Sequence, residues 1–170
     1  MVWNCEYSFE YWNNPETAET RNIRFVNNTC VNAGVVWSHA QRPNPNGSHL
    51  MFYTNTAATS GIEIKHNIFC QSTDWGSRFS AGWDPLPFLD YNLWYEPDGH
   101  LCWFFREKLP ADDIEAYRAK TGFDRHSVFA EPCFANLAEG DFRLRRHSPA
   151  RRVRPDGGCI GAESLWGPVD

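Results

Sequence analysis

Three short segments of this chain superimpose on an asparagine, and that repetition narrows the open folds more than any other feature. They are Asn22-Ile23-Arg24-Phe25-Val26-Asn27-Asn28-Thr29-Cys30, Gly61-Ile62-Glu63-Ile64-Lys65-His66-Asn67-Ile68-Phe69-Cys70 and Leu89-Asp90-Tyr91-Asn92-Leu93-Trp94-Tyr95. Each reads as a short strand, a polar residue followed by Asn, and a second short apolar strand. Ile23 and Phe25 alternate with Arg24, and Ile62 and Ile64 alternate with Glu63 and Lys65, the period-two signature of half-buried strands. Asn28, Asn67 and Asn92 stand 39 and 25 residues apart. The shorter spacing fits one coil of a β-solenoid and the longer one a coil carrying an inserted loop. Asn suits such a corner because it tolerates the left-handed backbone region and can hydrogen-bond the adjacent coil. The competing reading is three ordinary hairpin strands with chance asparagines; the repeated pattern favours the solenoid.

With 170 residues the chain reads as one domain, 1–170, large enough to bury a core without staples. No apolar run approaches the roughly 20 residues of a membrane span. Sixteen basic residues against 21 acidic ones give a net charge of −5, which argues against a nucleic-acid partner. The one basic cluster, Arg143, Arg145, Arg146, Arg151, Arg152 and Arg154, is interrupted by Ser148-Pro149 and reads as a solvated face. Aromatic content is high: eight Trp, six Tyr and 12 Phe. Such a palette can stack on sugar rings and hydrogen-bond their hydroxyls, although a large aromatic core accounts for most of it.

The six cysteines show no zinc-ligand spacing, so no metal site is expected from local sequence. Their even number is compatible with three disulfides, and equally with buried thiols acting as small hydrophobes, the favoured reading. Residues 1–20 carry no secretory signal pattern.

Two stretches dense in turn formers and aromatics interrupt the repeats. One is centred on Trp37 through His49 and the other runs from Thr73 to Pro85. Thrown from the same side of successive coils, they would face one another. Residues 111–121 read as one short α-helix, acidic early, basic late and closed by Gly122.

The closing stretch carries a resemblance. Gly122-Phe123-Asp124-Arg125-His126-Ser127-Val128-Phe129-Ala130-Glu131-Pro132-Cys133-Phe134, then Gly140-Asp141-Phe142-Arg143-Leu144 and Ser148-Pro149-Ala150, resembles the final coils of right-handed parallel β-helix repeat proteins of the pectate-lyase-like superfamily. Glu131 stands where that pattern usually has Asp. The resemblance covers most of residues 22–162. It implies an all-β fold, a short right-handed parallel β-helix made of the last few coils of a longer solenoid. It also implies a polysaccharide partner, an extracellular or periplasmic home, and an open β-helix end through which copies could self-associate.

Three functions are open to such a chain. Carbohydrate binding is preferred, because no convincing acid, base or calcium cluster is visible; its ligand contacts would be Trp37, His39, Arg42, Trp75, Arg78 and Trp83. A polysaccharide lyase needs a base and cations, with His39 or His49 as base, Arg42 and Arg78 as cations, and Ca²⁺ as the one cofactor this reading would bring. A glycoside hydrolase needs paired carboxyls, for which Asp84 is the leading candidate beside Asp74 and Asp90. A non-catalytic assembly fragment is the third reading.

Overall fold

The computed structural model describes residues 1–16, 19–36 and 46–162. The elements in chain order are β1 (Val2–Trp3), β2 (Tyr7–Tyr11), β3 (Thr20–Arg21), β4 (Arg24–Val26), β5 (Thr29–Ala33), β6 (Ser48–Phe52), β7 (Thr59–Ser60), β8 (Glu63–Lys65) and β9 (Ile68–Ser72). They continue with β10 (Ser77–Phe79), β11 (Phe88–Asp90), β12 (Leu93–Tyr95), β13 (Cys102–Phe104), β14 (Glu107–Leu109), the helix α1 (Ile114–Thr121), β15 (Val128–Phe129), β16 (Phe134–Asn136) and β17 (Asp141–Leu144).

The strands assemble into five sheets, of order β1-β5-β9-β12-β15, β2-β6-β10-β13-β14, β4-β8-β11, β3-β7 and β16-β17. This corrects the expectation of a single β-solenoid over residues 1–170. The chain is mostly sheet, organised as several small parallel sheets with one helix, and no sheet among the described residues closes on itself. Two pairings, β13 with β14 and β16 with β17, are antiparallel. The physical reason lies in the hairpin Cys102–Leu109, which folds back on its own sheet and ends the parallel stacking there, and in the C-terminal hairpin, which forms a separate sheet.

The asparagine repeats do align. Asn67 Oδ1 accepts from the backbone N–H of Asn28 (2.8 Å) and Asn92 Oδ1 from that of Asn67 (2.9 Å). Ser127 Oγ then accepts from the backbone N–H of Asn92 (2.8 Å), so the turn Asp124–Ser127 closes the ladder. The left-handed backbone falls one position earlier than expected, on Asn27, His66 and Tyr91. That shift turns each ladder asparagine inward, where Asn67 and Asn92 are fully buried and each replaces a water-bound amide partner.

The central strands β5, β9 and β12 of the sheet β1-β5-β9-β12-β15 are largely buried on both faces, which explains their apolar runs. Cys30, Phe69 and Trp94 point into one core with Phe52, Phe79 and Phe104. Val31, Ile68, Cys70 and Leu93 point into a second core, closed by Phe134, Phe142 and Leu144 of the C-terminal hairpin. In-register parallel pairing stacks like on like: Phe52 lies on Phe79 (4.6 Å, 8°) and Phe69 on Trp94 (4.2 Å, 27°). Each such ring is worth roughly 1.5–3 kcal/mol in burial.

The helix begins three residues later than the expected 111–121. Asp113 caps it by accepting from the N–H of Ala116 (3.0 Å), and Gly122 ends it in the left-handed region. Its Tyr117 is buried and donates to Asp124 Oδ2 (2.6 Å). All six cysteines are free. In the arginine cluster, Arg143 pairs with Asp141 and Arg154 with Asp156, while Arg145 donates to backbone carbonyls of Phe134 and Ala135.

Candidate ligand-binding groove

The outer face of the sheet β2-β6-β10-β13-β14 carries one transverse row. Strand register places Glu10 beside Met51, Met51 beside Arg78, Arg78 beside Trp103, and Trp103 beside Lys108. Alternation sends their neighbours Leu50, Ser77 and Cys102 inward, so the row is fixed by the core on the opposite face.

Arg78 lies with its guanidinium carbon 4.6 Å from the centre of the Trp103 ring, and Lys108 Nζ lies 5.7 Å from it. Arg78 Nη1 also donates to Asp74, four residues earlier. A guanidinium held by a ring and a carboxylate has one orientation before any ligand arrives. Behind it, Trp75 stacks on His100 (4.8 Å, 24°) and meets Trp103 edge-on (6.2 Å, 90°).

The groove beside this row has a volume of about 260 Å³, and Arg78, Ser80, Trp103, Phe105, Arg106 and Thr54 contribute to its lining. Phe105 and Arg106 form the two-residue turn of the β13–β14 hairpin, with φ of 48° and 75°. Turns of this kind call for Asn or Gly at both positions. A Phe and an Arg there cost about 1–3 kcal/mol each in backbone strain, the kind of cost that persists at ligand sites. Phe105 is 40% exposed. Arg78 and Arg106 line the groove and Lys108 ends the row beside it, against the carboxylates of Asp74, paired with Arg78, and Glu10, at the row's other end, on a chain whose net charge is −5.

A second polar cluster lies inside the fold. His49 and Glu96 are both buried, with Nε2 and Oε1 3.6 Å apart. Neither of those two atoms has a hydrogen-bond partner. Ser8 Oγ lies 3.0 Å from His49 Nδ1, and the N–H and hydroxyl of Ser72 donate to Glu96 Oε2 (2.9 and 3.0 Å). Burial pushes the Glu96 carboxyl up to about 8 and the His49 imidazole down to about 3. At neutral pH both are uncharged. Gly76 makes the room: a Cβ there would sit 2.9 Å from Glu96 Oε1 and from the Leu101 carbonyl.

Of the residues expected to touch a ligand or perform chemistry, Arg78 lines the groove. Trp75 and Trp83 are buried, at 6% and 4% exposure. Trp83 donates Nε1–H to the Tyr53 carbonyl (2.8 Å) and packs edge-on against Tyr11 and Phe52, so it offers no stacking platform. His49 is enclosed and out of a polymer's reach. Asp84 is exposed and precedes Pro85 through a cis peptide, in a depression shared with Thr56 and Gly82 rather than in the groove. Trp37, His39 and Arg42 lie outside the described residues. No group of three or more His, Cys, Asp or Glu side chains able to hold a metal ion occurs among the described residues.

Sequence reasoning missed Trp103, Phe105 and Arg106. The signal was the run Cys102-Trp103-Phe104, Phe105-Arg106, Glu107-Lys108-Leu109, two alternating strands around a two-residue break. Without Asn or Gly at the break, it does not read as a hairpin.

No family model matches this chain, and no solved structure gives a significant match. A stretch of 66 residues is 35% identical to the uncharacterized protein YwoF of Bacillus subtilis (strain 168). The matched stretch is 38% of this chain and 14% of that protein's length.

Proposed function

We propose that this chain binds an acidic polysaccharide in the groove between β10 and the β13–β14 hairpin. The observation that carries the reading is Arg78 fixed on the face of Trp103, with Arg106 presented by a strained turn across the same groove. Guanidinium groups pair with carboxylates in a forked, bidentate geometry, and a held guanidinium loses less freedom on doing so. The exposed ring of Phe105 gives the apolar face of a pyranose a surface to rest on, while Ser80 and Thr54 can hydrogen-bond its hydroxyls.

Among the described residues no carboxyl or imidazole lines the groove itself, and the Asp74 carboxylate beside it is engaged by Arg78. Of the two expected bases, His49 is a neutral buried imidazole and His39 lies outside the described residues, and Asp84 lies elsewhere. Binding without turnover is therefore the preferred function. Native gel electrophoresis through gels containing pectate, alginate, xylan or β-glucan tests it. The protein should be retarded by at least one uronate polymer, and mass spectrometry of the incubated polymer should show no released oligosaccharide. Unsaturated or hydrated products would make the chain a lyase or a hydrolase instead, and absence of retardation on every uronate polymer would reject the proposal.

A further inference from the structure

The outer face of β4-β8-β11 holds a concavity of about 350 Å³, separate from the groove. Its register row runs Arg24, Glu63, Phe88. Glu63 is gripped from two sides, accepting from Arg24 Nε (2.7 Å) and pairing with Lys65 Nζ (2.5 Å), which holds its carboxyl below the usual range. Beside these charges Phe88 is left 48% exposed.

A lone exposed Phe needs no explanation. Phe88, however, lines a formed cavity, and the second aromatic ring that lines it, Tyr91, is fixed. Tyr91 lies flat on the His126 ring (4.8 Å, 7°) and flanks His66 (6.0 Å, 60°). His126 is clamped in turn by Asp90, which takes its backbone N–H and its Nδ1 at 2.7 Å each. The left-handed backbone of His66 and Tyr91, φ of 58° and 56°, sets both side chains at successive corners of the sheet. Burial, with Arg154 and Lys65 nearby, holds the His66 imidazole below its ordinary pKa.

The rim is electrically balanced. Arg154 is forked onto Asp156 (Nε 3.0 Å, Nη2 2.6 Å), and Lys65 is paired with Glu63. Among the lining residues two cations and two anions balance, while Arg24, outside the lining, shares Glu63 with Lys65; together they supply both donors and acceptors around an exposed aromatic ring. That combination suits a polyhydroxylated neutral ring, whose apolar face covers Phe88 while its hydroxyls bridge the paired charges.

We infer that the Phe88–Tyr91 cavity is a second binding site, specific for a neutral sugar residue. It is independent of the groove in position and in ligand charge, so it stands or falls apart from the acidic-polymer reading.

The test is titration of the full chain with xylohexaose, cellohexaose and mannohexaose, followed by NMR of the aromatic side chains. The Phe88 and Tyr91 ring signals should shift saturably with at least one of the three. The shifts should persist in 0.5 M salt and in Arg106→Ala, and weaken at least tenfold in affinity in Phe88→Ala and in Glu63→Gln. Phe88 is exposed, so the variant should keep the wild-type thermal midpoint, and Glu63→Gln keeps the side-chain shape if it does not. Absence of shifts with all three sugars, or equal affinity in both variants, overturns the inference.

Discussion

The side-chain carbonyl of Asn92 accepts the backbone amide of Asn67 (2.9 Å), and Asn67 in turn gives its own side-chain amide to the carbonyl of Phe25 (2.9 Å). A buried side chain thereby stitches three neighbouring strands without any backbone group going unpaired. Removing it strands more than one partner.

Asn67→Ala should therefore destabilise the fold by about 2–4 kcal/mol, because the Asn28 amide and the Phe25 carbonyl lose their partner inside the protein. Asn28→Ala, at the partly exposed end of the ladder, should cost about 1 kcal/mol. Urea denaturation of the two variants checks the order; equal costs would contradict the ladder's role.

The buried pair His49 and Glu96 sets a pH signature. The Glu96 carboxyl lies at about 8 in the folded state against an ordinary 4.5, so the folded chain keeps a proton that the unfolded chain has released. Stability falls as pH rises from 4.5 to 8 on its account. His49 lies at about 3 against 6.5, so stability on its account falls as pH drops from 6.5 to 3. Asp124, lifted by burial from 3.8 to about 6, adds a slope of the same sign as Glu96 below pH 6. Above pH 6.5 the Glu96 slope stands alone among the three, and the wild type should lose about 2 kcal/mol between pH 6.5 and 8. Glu96→Gln should abolish that loss in chemical denaturation series; an unchanged slope would contradict the assignment.

The turn Phe105-Arg106 should trade stability for binding. Replacing the pair by Asn-Gly suits the left-handed backbone of both positions and should stabilise the fold by about 1–2 kcal/mol. The same change removes the exposed ring and one guanidinium from the groove, so retention on a uronate polymer should be lost. A variant that is more stable and still binds would show that the strained turn serves no ligand.

Thiol chemistry should follow burial. Cys30, Cys70 and Cys102 are buried, and desolvation pushes each thiol up to about 12, whereas Cys5 is exposed. Iodoacetamide at pH 8 should label Cys5 in the folded protein and reach the three buried thiols only after denaturant is added. Peptide mass spectrometry reads the order.

What the sequence disclosed and what it hid follow one division. Asn28, Asn67 and Asn92 were visible because a ladder demands the same residue at the same place in each repeat, and β4, β8 and β9 because burial imposes alternation or apolar runs. The two antiparallel hairpins that break the parallel pairing, β13–β14 and β16–β17, were not visible, since their turns lack the usual residues or are set by tertiary packing. Trp75 and Trp83 were candidate ligand contacts because turn formers surround them. Gly76 and Gly82 instead let the backbone approach closely, and the rings fill the space against His100 and Phe52. Arg78 was legible as a cation in a loop. Its partner Trp103 lies 25 residues away and meets it only through strand register.

The most direct test of the central claim is isothermal titration of the chain with oligogalacturonate and with its fully methyl-esterified counterpart, the same sugar with its charge removed. The groove predicts saturable binding of the charged oligomer, weakened at least tenfold by Arg106→Ala and by 0.5 M salt, and little or none of the ester. Equal affinity for both oligomers, or an Arg106→Ala variant that binds as the wild type does, would contradict it.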